Sequence, residues 1–460
     1  MSAPSPVILL ELNELTPALM FRFMREGRLP NFQRFYDESQ IFTTDAQEQG
    51  LNLNPWIQWV TVHSGLPYSE HGIFRLGDGG RLKGPCVGDV VASAQRPVLL
   101  CGSMNVRYRG PLPGVAIPDA WATDVEPYPP ELAPYFRFVS KNVLEHTNES
   151  APLGLRDVLA FLGFMATHGL SADTVWAIAR QLLRERTGRF GWQRVTLLDR
   201  LQWDVFRWYY RRLHPAFSTF FLNSVAHLQH THWRNLEPER FQVKPSEAEQ
   251  AEYQNAVLYG YQENDRLLGR FFELAGDDAT LVFCTALSQQ PCLAYEDMGA
   301  KRFYRPHKFE DLIAFTGITA PHTCSPVMSE EFHLYFEDEA AASAAEERLR
   351  GLRVGDEAVL TVDRTGSEIY AGCRIFHELP AHASLVETTS GRQSAFFDVF
   401  YQADSLKSGI HHPDGLLWIR RPDRQHAIHA DKVPLVSVAP TLLGLLGIEP
   451  PARMRGEPLL

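Results

Sequence analysis

A short apolar run near the N-terminus, followed at once by a helix pattern, constrains the fold more than any other feature of this sequence. Residues 7–12 (VILLEL) are apolar except for one glutamate, and such a run is typical of a strand buried on both faces of a sheet. Thr16 can cap the helix that follows, Pro17 suits its first turn, and Gly27 ends it. We therefore expect a strand and a helix packed together at the start of the chain.

The same order of strand and helix returns later. The run at 280–284 (TLVFC) predicts a second buried strand, and the run at 416–420 (LLWIR) precedes a helix pattern over 436–446 that stops at Gly447. Alternating strands and helices are typical of a mainly parallel sheet with helices on its faces. The predicted fold class is α/β, and the 460 residues fit one large domain with insertions.

Two stretches interrupt this order. Residues 151–215 have a helical pattern almost throughout, which indicates a helical insertion packed on the main domain. Residues 325–380 combine strand-like segments with one helix rich in alanine and glutamate, which indicates a small α+β cap. We therefore expect residues 1–324 and 381–460 to form the main domain. The aromatic pattern at 201–215 fits a membrane-surface or partner-binding stripe, but core packing explains it with fewer assumptions.

Composition and charge exclude several classes of protein. Apolar residues make up 45% of the chain, which rules out disorder, and the formal net charge is −11. A protein that neutralises phosphates needs an excess of Lys and Arg, so we expect no nucleic-acid partner. No apolar run reaches the ~20 residues that span a bilayer, and the N-terminus has no pattern of a secretion signal. The six cysteines are scattered, as is typical of reduced thiols, so we predict a cytoplasmic protein.

Three segments together resemble a known family. They are the N-terminal strand and helix (VILLELNELTPALMFRFMREGRLPNFQRF), residues 54–74 (NPWIQWVTVHSGLPYSEHGIF), and residues 408–419 (SGIHHPDGLLWI) continuing to the terminal VAPTLLGLLGIEPPARMRGEPL. In order and spacing they are similar to the alkaline phosphatase superfamily, specifically its type I phosphodiesterase/nucleotide pyrophosphatase and phosphoglycerate mutase-like branch. The resemblance implies a three-layer α/β sandwich and descent from enzymes that act on phosphate and sulfate esters.

The resemblance also implies a site with two metal ions, usually zinc, and a Thr or Ser nucleophile. Where the family has Asp-Gly after the first strand, this chain has Asn13-Glu14. A neighbouring glutamate, Glu11 or Glu14, is the candidate to replace the Asp. Alternation along a strand predicts that Glu11 points the same way as Asn13 and that Glu14 points the opposite way. At the position of the nucleophile the chain has Pro55, or Asn54 with a shift of one residue, and neither is a nucleophile of the usual kind.

Further motifs of the family keep only their histidines. Ala226 stands where the family has an Asp, whereas His230 of the same motif is present. After the strand at 280–284 the family has Ser-Asp-His-Gly, and this chain has TALS at 285–288. The family's C-terminal Gly-x-His is preserved and ends at His411. Two of six expected metal ligands remain, so the sequence does not support the two-metal mechanism.

The two retained histidines allow a smaller metal site. His230 and His411 are predicted to lie together and to bind a single divalent metal such as zinc, with His227, His232 or His412 as further ligands. The alternative is that no metal binds and the inherited histidines form hydrogen bonds to the backbone or to each other.

Four polar residues are predicted to line the cleft at the carboxyl edge of the sheet, where α/β proteins bind ligands. We predict a catalytic group of Glu11, Asn13 and Asn54 with the two histidines, in which Glu11 is a general base. Asn52 and His412 are predicted to contact the substrate. Amides and one carboxylate suit a neutral or cationic small molecule or a glycan. The alternative is that the amides are neutral replacements left after the metals were lost.

A second polar group follows the predicted strand at 98–102. Asn105, Arg107 and Arg109 are predicted to bind the substrate, because arginines at a strand end can fork onto a phosphate, sulfate or carboxylate. A solvated loop is the alternative interpretation.

These observations leave three hypotheses of function. The first is an enzyme, descended from phospho- or sulfo-ester hydrolases and transferases, with a rebuilt active site. The second is a non-catalytic binding or regulatory protein that uses the old cleft for a glycan, a nucleotide or a protein partner. The third is an enzyme of different chemistry, with Glu11 as base and a single metal or none.

Overall fold

The structure is a computed structural model that describes residues 4–109, 112–122, 125–144, 153–186, 188, 190–326, 331–403 and 406–460. Residues 151–152, 187 and 189 of the predicted helical insertion and 327–330 of the predicted cap lie outside the described residues. The strands are β1 (Val7–Leu12), β2 (Gln40–Asp45), β3 (Val98–Cys101), β4 (Gly114–Ile117), β5 (Phe217–Leu222), β6 (Thr280–Cys284), β7 (Ser288–Pro291), β8 (Tyr304–Pro306), β9 (His322–Pro326), β10 (Glu331–Phe336), β11 (Leu352–Val354), β12 (Glu357–Ala358), β13 (Leu360–Thr365), β14 (Glu368–Cys373), β15 (Ser384–Glu387), β16 (Arg392–Ala395), β17 (Phe400–Gln402), β18 (Gly409–His412), β19 (Asp414–Arg420), β20 (Ala427–Ile428) and β21 (Val433–Pro434). The helices are α1 (Pro17–Arg25), α2 (Pro30–Asp37), α3 (Pro55–Ser64), α4 (Tyr68–His71), α5 (Val87–Ser93), α6 (Ala133–Leu144), α7 (Leu155–Thr167), α8 (Ala172–Glu185), α9 (Val195–Leu213), α10 (Ser224–Leu236), α11 (Glu247–Tyr253), α12 (Ala256–Ala275), α13 (Phe309–Thr316), α14 (Glu339–Arg350), α15 (Phe396–Val399) and α16 (Val438–Leu445).

One large sheet organises the described part of the chain. Its nine strands run in the order β20-β2-β19-β6-β1-β5-β3-β4, with β21 also paired to β2. The strands β6, β1, β5, β3 and β4 are parallel, whereas β19 is antiparallel to both β2 and β6. The predicted α/β class and mainly parallel sheet are confirmed. Because β19 runs in the opposite direction, the residues just before it lie at the edge where β1 and β6 end.

Apolar layers cover both faces of this sheet. Along β1, Ile8, Leu10 and Leu12 belong to the core that contains residues of α1, α2, α9 and α12. Val7 and Leu9 point the other way, into the core that contains residues of α3, α5 and α16. Burial of each such side chain contributes about 1.5–3 kcal/mol to folding. The alternation of side chains along β1 therefore joins two cores into a three-layer sandwich.

The start of the chain follows the sequence prediction closely, with one difference in contacts. The strand β1 matches its predicted range, and α1 ends at Arg25, before Gly27 at a φ of 68°. Thr16 stands at the N-cap position, but its hydroxyl donates to the carbonyl of Gln289 at 2.9 Å and makes no capping hydrogen bond. The prediction of a Thr16 cap is wrong, because a tertiary contact takes up the hydroxyl.

The C-terminal elements also lie close to their predicted positions. The strand β19 begins two residues before the predicted start of 416, and α16 is preceded by one turn of 3₁₀ helix over Leu435–Ser437. Gly447 follows this helix with a φ of 67°, which a glycine adopts without strain.

The region 155–213 is mainly helical, as predicted, and its last helix covers the main sheet. Trp203 and Phe206 of α9 are buried, with ring centroids 4.7 Å from Phe271 and 5.1 Å from Phe220, respectively. Core packing therefore accounts for the aromatic pattern of α9. Among the described residues, no helix combines the length and apolarity needed to cross a bilayer.

A third apolar core lies within residues 304–400. Two four-stranded sheets, β13-β14-β10-β9 and β12-β11-β15-β16, contribute to it together with α14. The core includes Tyr304 and Phe396, which lie outside the predicted cap of 325–380. The division of the chain into a main domain and a cap with those bounds stays a prediction.

Candidate functional site

The strand β1 ends at Leu12, and the two residues after it form the base of the site. The Asn13 backbone N–H donates to Leu222 O at the end of β5 (3.0 Å), and the Glu14 N–H donates to Thr285 O just after β6 (3.3 Å). Glu14 has a φ of 61°, in the left-handed region that residues other than glycine rarely adopt. The strand alternation therefore ends here, and the prediction that Glu14 faces away from Asn13 is wrong. The Asn13 amide donates to Glu14 Oε1 at 2.9 Å.

His230 lies on α10, the helix that follows β5. Its Nε2 is 3.0 Å from Glu14 Oε2, and its Nδ1 is 2.9 Å from the carbonyl oxygen of Gly409. Both ring nitrogens therefore face oxygen acceptors. A neutral imidazole has one N–H, so it can donate a hydrogen bond to only one of these two oxygens.

His411 approaches the same carboxylate from β18. Its Nε2 is 3.5 Å from Glu14 Oε2, and its ring also interacts with the backbone of Leu53. The ring centroids of His230 and His411 are 5.2 Å apart, with the ring planes at 76°. One ligand atom from each of Glu14, His230 and His411 lies within 4.8 Å of the other two. The structure thus brings together the two predicted histidines, with Glu14 rather than Glu11 as the acidic group.

Burial and charge set the protonation states of this cluster. Burial opposes ionisation of Glu14, but His411, His230 and the hydrogen bonds that Glu14 accepts outweigh it and lower its pKa to about 2. Burial lowers the pKa of His411 to about 4, although Glu14 acts in the opposite direction. Near neutral pH the cluster therefore offers a carboxylate and a neutral imidazole, the forms in which both groups bind metals.

Neutral amides fill the space beside the carboxylate. The second N–H of the Asn13 amide donates to Asn223 Oδ1 at 2.8 Å, and Trp59 Nε1 donates to Asn13 Oδ1 at 2.8 Å. All hydrogen-bonding groups of the Asn13 side chain apart from one acceptor lone pair are thereby used. Asn223 follows the last residue of β5, so it lies at the same edge of the sheet as Asn13.

Three residues that sequence reasoning missed hold Glu14 in place. The Gln289 amide donates to Glu14 Oε2, and the Gln229 amide donates to the Glu14 carbonyl at 2.8 Å. The Tyr261 hydroxyl donates to Gln229 Oε1 at 2.7 Å. In the sequence, only the positions of two of these residues indicate a role near Glu14. Gln229 precedes His230, and Gln289 lies just after the segment that replaces the family's metal-binding motif.

Glu11 belongs to a separate cluster that is buried in the core. Its Oε1 is 2.7 Å from His63 Nε2 and accepts a hydrogen bond from the Ser103 hydroxyl at 3.0 Å. Ser103 also contacts the hydroxyl of Thr219 at 2.8 Å. Glu11 is fully buried and His63 is 2% exposed. The role of Glu11 as a general base stays a prediction.

The predicted cleft residues after β2 and in β18 are partly exposed. The Asn54 amide donates to the carbonyl of Leu51 at 2.8 Å, and the Asn52 carbonyl accepts from the Gln58 amide at 2.9 Å. His412 Nδ1 accepts from the backbone N–H that begins β19 at 3.2 Å. These contacts order the loop whose Leu53 backbone meets His411. Substrate contact by Asn52, Asn54 and His412 stays a prediction.

Asn105, Arg107 and Arg109 make contacts that tie loops together. The Asn105 side chain binds backbone groups of 56 and 75–79, at a φ of 56°. Arg107 pairs with Asp119 at 2.9 Å, and Arg109 donates to the carbonyl of Leu82. Arg107 is buried, and the carboxylate of Asp119 already pairs with its guanidinium. Substrate binding by this group stays a prediction.

The other histidines proposed as ligands are engaged elsewhere or exposed. His232 stacks on Tyr253 with ring centroids 4.4 Å apart, and burial lowers its pKa to about 4. His227 is exposed. Among the described residues, the group formed by Glu14, His230 and His411 is the one set of three or more side chains with metal-binding spacing.

Comparisons with known proteins find matches among solved structures. No protein-family model and no curated protein matches this sequence. Phosphonoacetate hydrolase from Sinorhizobium meliloti, in complex with phosphonoformate, has 12% identity and a TM-score of 0.44, with 97% of this chain and 95% of that chain covered. Alkaline phosphatase PafA has 11% identity and a TM-score of 0.46, with 100% and 99% covered. Murine ectonucleotide pyrophosphatase/phosphodiesterase 5, an inactive variant in complex with AMP, has 10% identity and a TM-score of 0.40, with 98% and 97% covered. All three are members of the alkaline phosphatase superfamily.

Proposed function

We propose that Glu14, His230 and His411 bind one divalent cation and that the protein uses this site to cleave phosphate or sulfate esters. The observation that carries the proposal is the convergence of one carboxylate oxygen and two imidazole nitrogens within 4.8 Å. The position at the carboxyl edge of the sheet agrees with it, because α/β proteins bind ligands there.

Zinc fits these ligands best. Zinc takes imidazole nitrogen and carboxylate oxygen at about 2.0–2.2 Å, which places tetrahedral ligands about 3.3–3.6 Å apart. The carboxylate oxygen of Glu14 lies 3.0 Å and 3.5 Å from the two Nε2 atoms, so small side-chain movements suffice. The carbonyl of Gly409 holds His230 with Nε2 directed at the site, as outer hydrogen bonds do for metal-binding histidines.

The residues beside this group do not fit a second metal. Asn13 is locked to Glu14, Asn223 and Trp59, and its amide N–H groups point at the oxygens that a second cation would need. Ala226 offers no ligand atom. We therefore infer a site for one cation in a scaffold whose family members hold two.

Three protein ligands leave a position for substrate or water, which is the pattern of catalytic rather than structural zinc. When bound, such a cation stabilises negative charge on an ester oxygen. Asn54 and Pro55 offer no nucleophilic side chain, so water is the attacking group. The water oxygen forms a bond to phosphorus or sulfur, the bond to the leaving oxygen breaks, and a proton from the water ends on that leaving oxygen.

The cleft residues define the ligand we expect. Asn52, Asn54 and His412 are partly exposed near His411 and suit hydroxyl groups of a small molecule or glycan-type ester. The six cysteines form no disulfide within the described residues, and the net charge is −11, which agree with a cytoplasmic protein that does not bind nucleic acid. We also propose that residues 325–380 act as a cap on the main domain formed by 1–324 and 381–460.

One observation favours a second candidate function, a non-catalytic binding protein. Glu14 accepts hydrogen bonds from Asn13 and Gln289 besides its two histidine contacts, which is an arrangement that is stable without any ligand. In that case the cleft recognises a glycan, a nucleotide or a protein partner without turnover.

Measuring both the bound zinc per chain and the turnover of esters distinguishes the two candidate functions. Metal-free protein is loaded with zinc, washed and analysed by inductively coupled plasma mass spectrometry, and tested on an aryl phosphate monoester, an aryl phosphate diester and an aryl sulfate. We expect one zinc per chain and turnover of one ester class, with both lost in His411→Ala. The matched control His412→Ala replaces the neighbouring histidine and keeps the zinc. Absence of zinc overturns the proposal, and zinc without turnover supports the binding protein.

A further inference from the structure

The helices α7 and α8 expose an unusual amount of apolar surface. The described residues contain fourteen exposed large apolar side chains, and half of them lie in these two consecutive helices. They are Leu155 (74% exposed), Leu159 (59%), Leu162 (51%), Val175 (49%), Trp176 (64%), Leu182 (53%) and Leu183 (57%). Single exposed apolar residues are ordinary, but a concentration of this kind marks an interaction surface.

The exposed residues of α7 share one face of the helix. Leu155, Leu159 and Leu162 are spaced by four and three positions, which places them in one stripe. The opposite face packs inward through Phe161, whose ring stacks on that of Phe138 at 3.8 Å. The inward face is therefore satisfied without the leucine stripe.

The helix α8 exposes most of its large apolar residues and buries polar ones. Its buried residues are polar, Thr174 and Gln181, whereas Trp176 and Leu183 are exposed. Gln181 is held inside by hydrogen bonds to Glu185 and to the carbonyl of Phe190. Ile178 packs against the main core, but the other large apolar residues of α8 stay exposed. Most of the apolar surface of this helix therefore does not stabilise its own domain.

The charge around these faces is positive in an acidic protein. Residues 153–194 contain six arginines and three acidic residues, a net charge of 6 − 3 = +3, against −11 for the whole chain. The three acidic residues have partners: Asp157 pairs with a lysine, and Asp173 and Glu185 pair with arginines. Within the described part of the chain, Arg156, Arg180 and Arg186 have no acidic partner.

We propose that α7 and α8 form a docking surface for an anionic lipid membrane. Leucine and tryptophan on one face with arginines beside them is the pattern of helices that lie in the plane of a membrane interface. The helices have 13 and 14 residues, about 20 Å at 1.5 Å per residue, which suits lying on a bilayer and is too short for crossing it. This surface is independent of the proposed metal site.

Charge favours a membrane over a second copy of the chain. A two-fold contact through these faces brings Arg180 and Arg186 of both copies to one interface, where no unpaired acidic residue is available to them. An anionic lipid surface supplies the missing negative charge, and the acidic remainder of the protein is repelled from it, which orients the docking face.

Vesicle sedimentation tests this proposal with the full chain. Vesicles of phosphatidylcholine alone and of phosphatidylcholine with 30% phosphatidylserine are the probes, at low and physiological salt. We expect binding to the serine-containing vesicles, a loss of tenfold or more in the double variant Trp176→Asp/Leu183→Asp, and a loss of about 25-fold in Arg180→Gln/Arg186→Gln, at roughly fivefold per arginine.

The control variant is Ile428→Asp, which replaces a similarly exposed apolar residue far along the chain (62% exposed) and keeps the binding. Circular dichroism checks that each variant is folded. Failure of the wild-type protein to bind serine-containing vesicles overturns the proposal, as does equal binding by Trp176→Asp/Leu183→Asp. A dimer in light scattering that this double variant dissociates overturns it in favour of a second copy.

Discussion

Two glutamates three residues apart, Glu11 and Glu14, have similar chemistry and very different surroundings. Both are buried, and both lie about 3 Å or less from a histidine Nε2. Glu11 faces His63 inside the core, where the histidine is 2% exposed. Glu14 faces His230 and His411, which are 29% and 16% exposed. The comparison teaches that solvent exposure of the histidines, rather than the pair of residue types, separates a candidate site from a buried cluster.

The largest expected difference between the two glutamates concerns zinc affinity. Structural zinc contributes about 10–16 kcal/mol in small zinc domains, so loss of one ligand of three removes about 3–5 kcal/mol. We expect Glu14→Gln to weaken zinc binding by about 1000-fold, and Glu11→Gln to change it by less than about threefold. Competition with a fluorescent chelator measures both. Equal losses in the two variants break the comparison.

The histidines should give the next largest difference, in the pH dependence of metal-free stability. Folding holds the pKa of His411 near 4, below its ordinary value of 6.5, so only the unfolded chain binds this proton between those pH values. Stability is therefore fully present above pH 6.5 and is lost as the pH falls towards 4. Between pH 7 and 4 we expect the wild-type protein to lose about 3 kcal/mol more than His411→Gln.

Urea unfolding of both proteins at a series of pH values provides this measurement. Histidines that do not contact His411 contribute equally to both proteins and cancel in the difference, whereas Glu14 adds to the expected difference because His411 lowers its pKa. Parallel stability curves for wild type and His411→Gln contradict the expected role of burial at His411.

Asn13 lies between Glu11 and Glu14 in the sequence, and we expect its replacement to have an intermediate effect on zinc affinity. The Asn13 amide donates to Glu14 Oε1, so Asn13→Ala removes a group that orients the metal-binding carboxylate. Loss of such an outer contact costs about 10- to 100-fold in metal affinity. Isothermal titration with zinc tests this, and an unchanged affinity shows that Glu14 keeps its position without the amide.

Glu11 should affect stability alone. Glu11→Gln keeps the shape of the side chain but weakens its hydrogen bonds with His63 and Ser103. We expect the free energy of unfolding at pH 7 to fall by about 1–2 kcal/mol, with esterase activity per folded molecule unchanged. A selective loss of activity at full stability shows instead that Glu11 acts as the general base.

Much of the fold was predictable because it depends on local patterns. The continuous apolar run of β1 and its following helix, the strand β6 and the C-terminal helix appear where sequence periodicity places them. The resemblance to the family also predicted that His230 and His411 lie together. Their meeting depends on the antiparallel direction of β19, which brings the residues before it to the edge where β1 ends.

Glu14 shows where sequence patterns stop being sufficient. Strand alternation turns its side chain away from Asn13, but the alternation holds only while the backbone stays extended, and at a φ of 61° it does not. The family's glycine at the matching position was the available hint, since glycine is common at positive φ.

The sequence also left open which face of each amphipathic helix is buried. The patterns of α8 and α9 both combine aromatic and leucine residues with arginines, yet α9 lies on the sheet and α8 turns its polar residues inward. Which face of a helix meets the core depends on what neighbouring elements offer to pack against it, and a periodic pattern carries no information on that.

The sequence by itself determined the α/β class, the main strands and the resemblance to the superfamily, because each depends on local spacing and residue type. The tertiary structure decided that Glu14 joins the histidines while Glu11 is sealed in the core. It also decided which polar residues hold Glu14, since Gln229 and Gln289 are more than 200 residues away in the chain. Contacts across such distances arise only when the strands have assembled at one edge of the sheet.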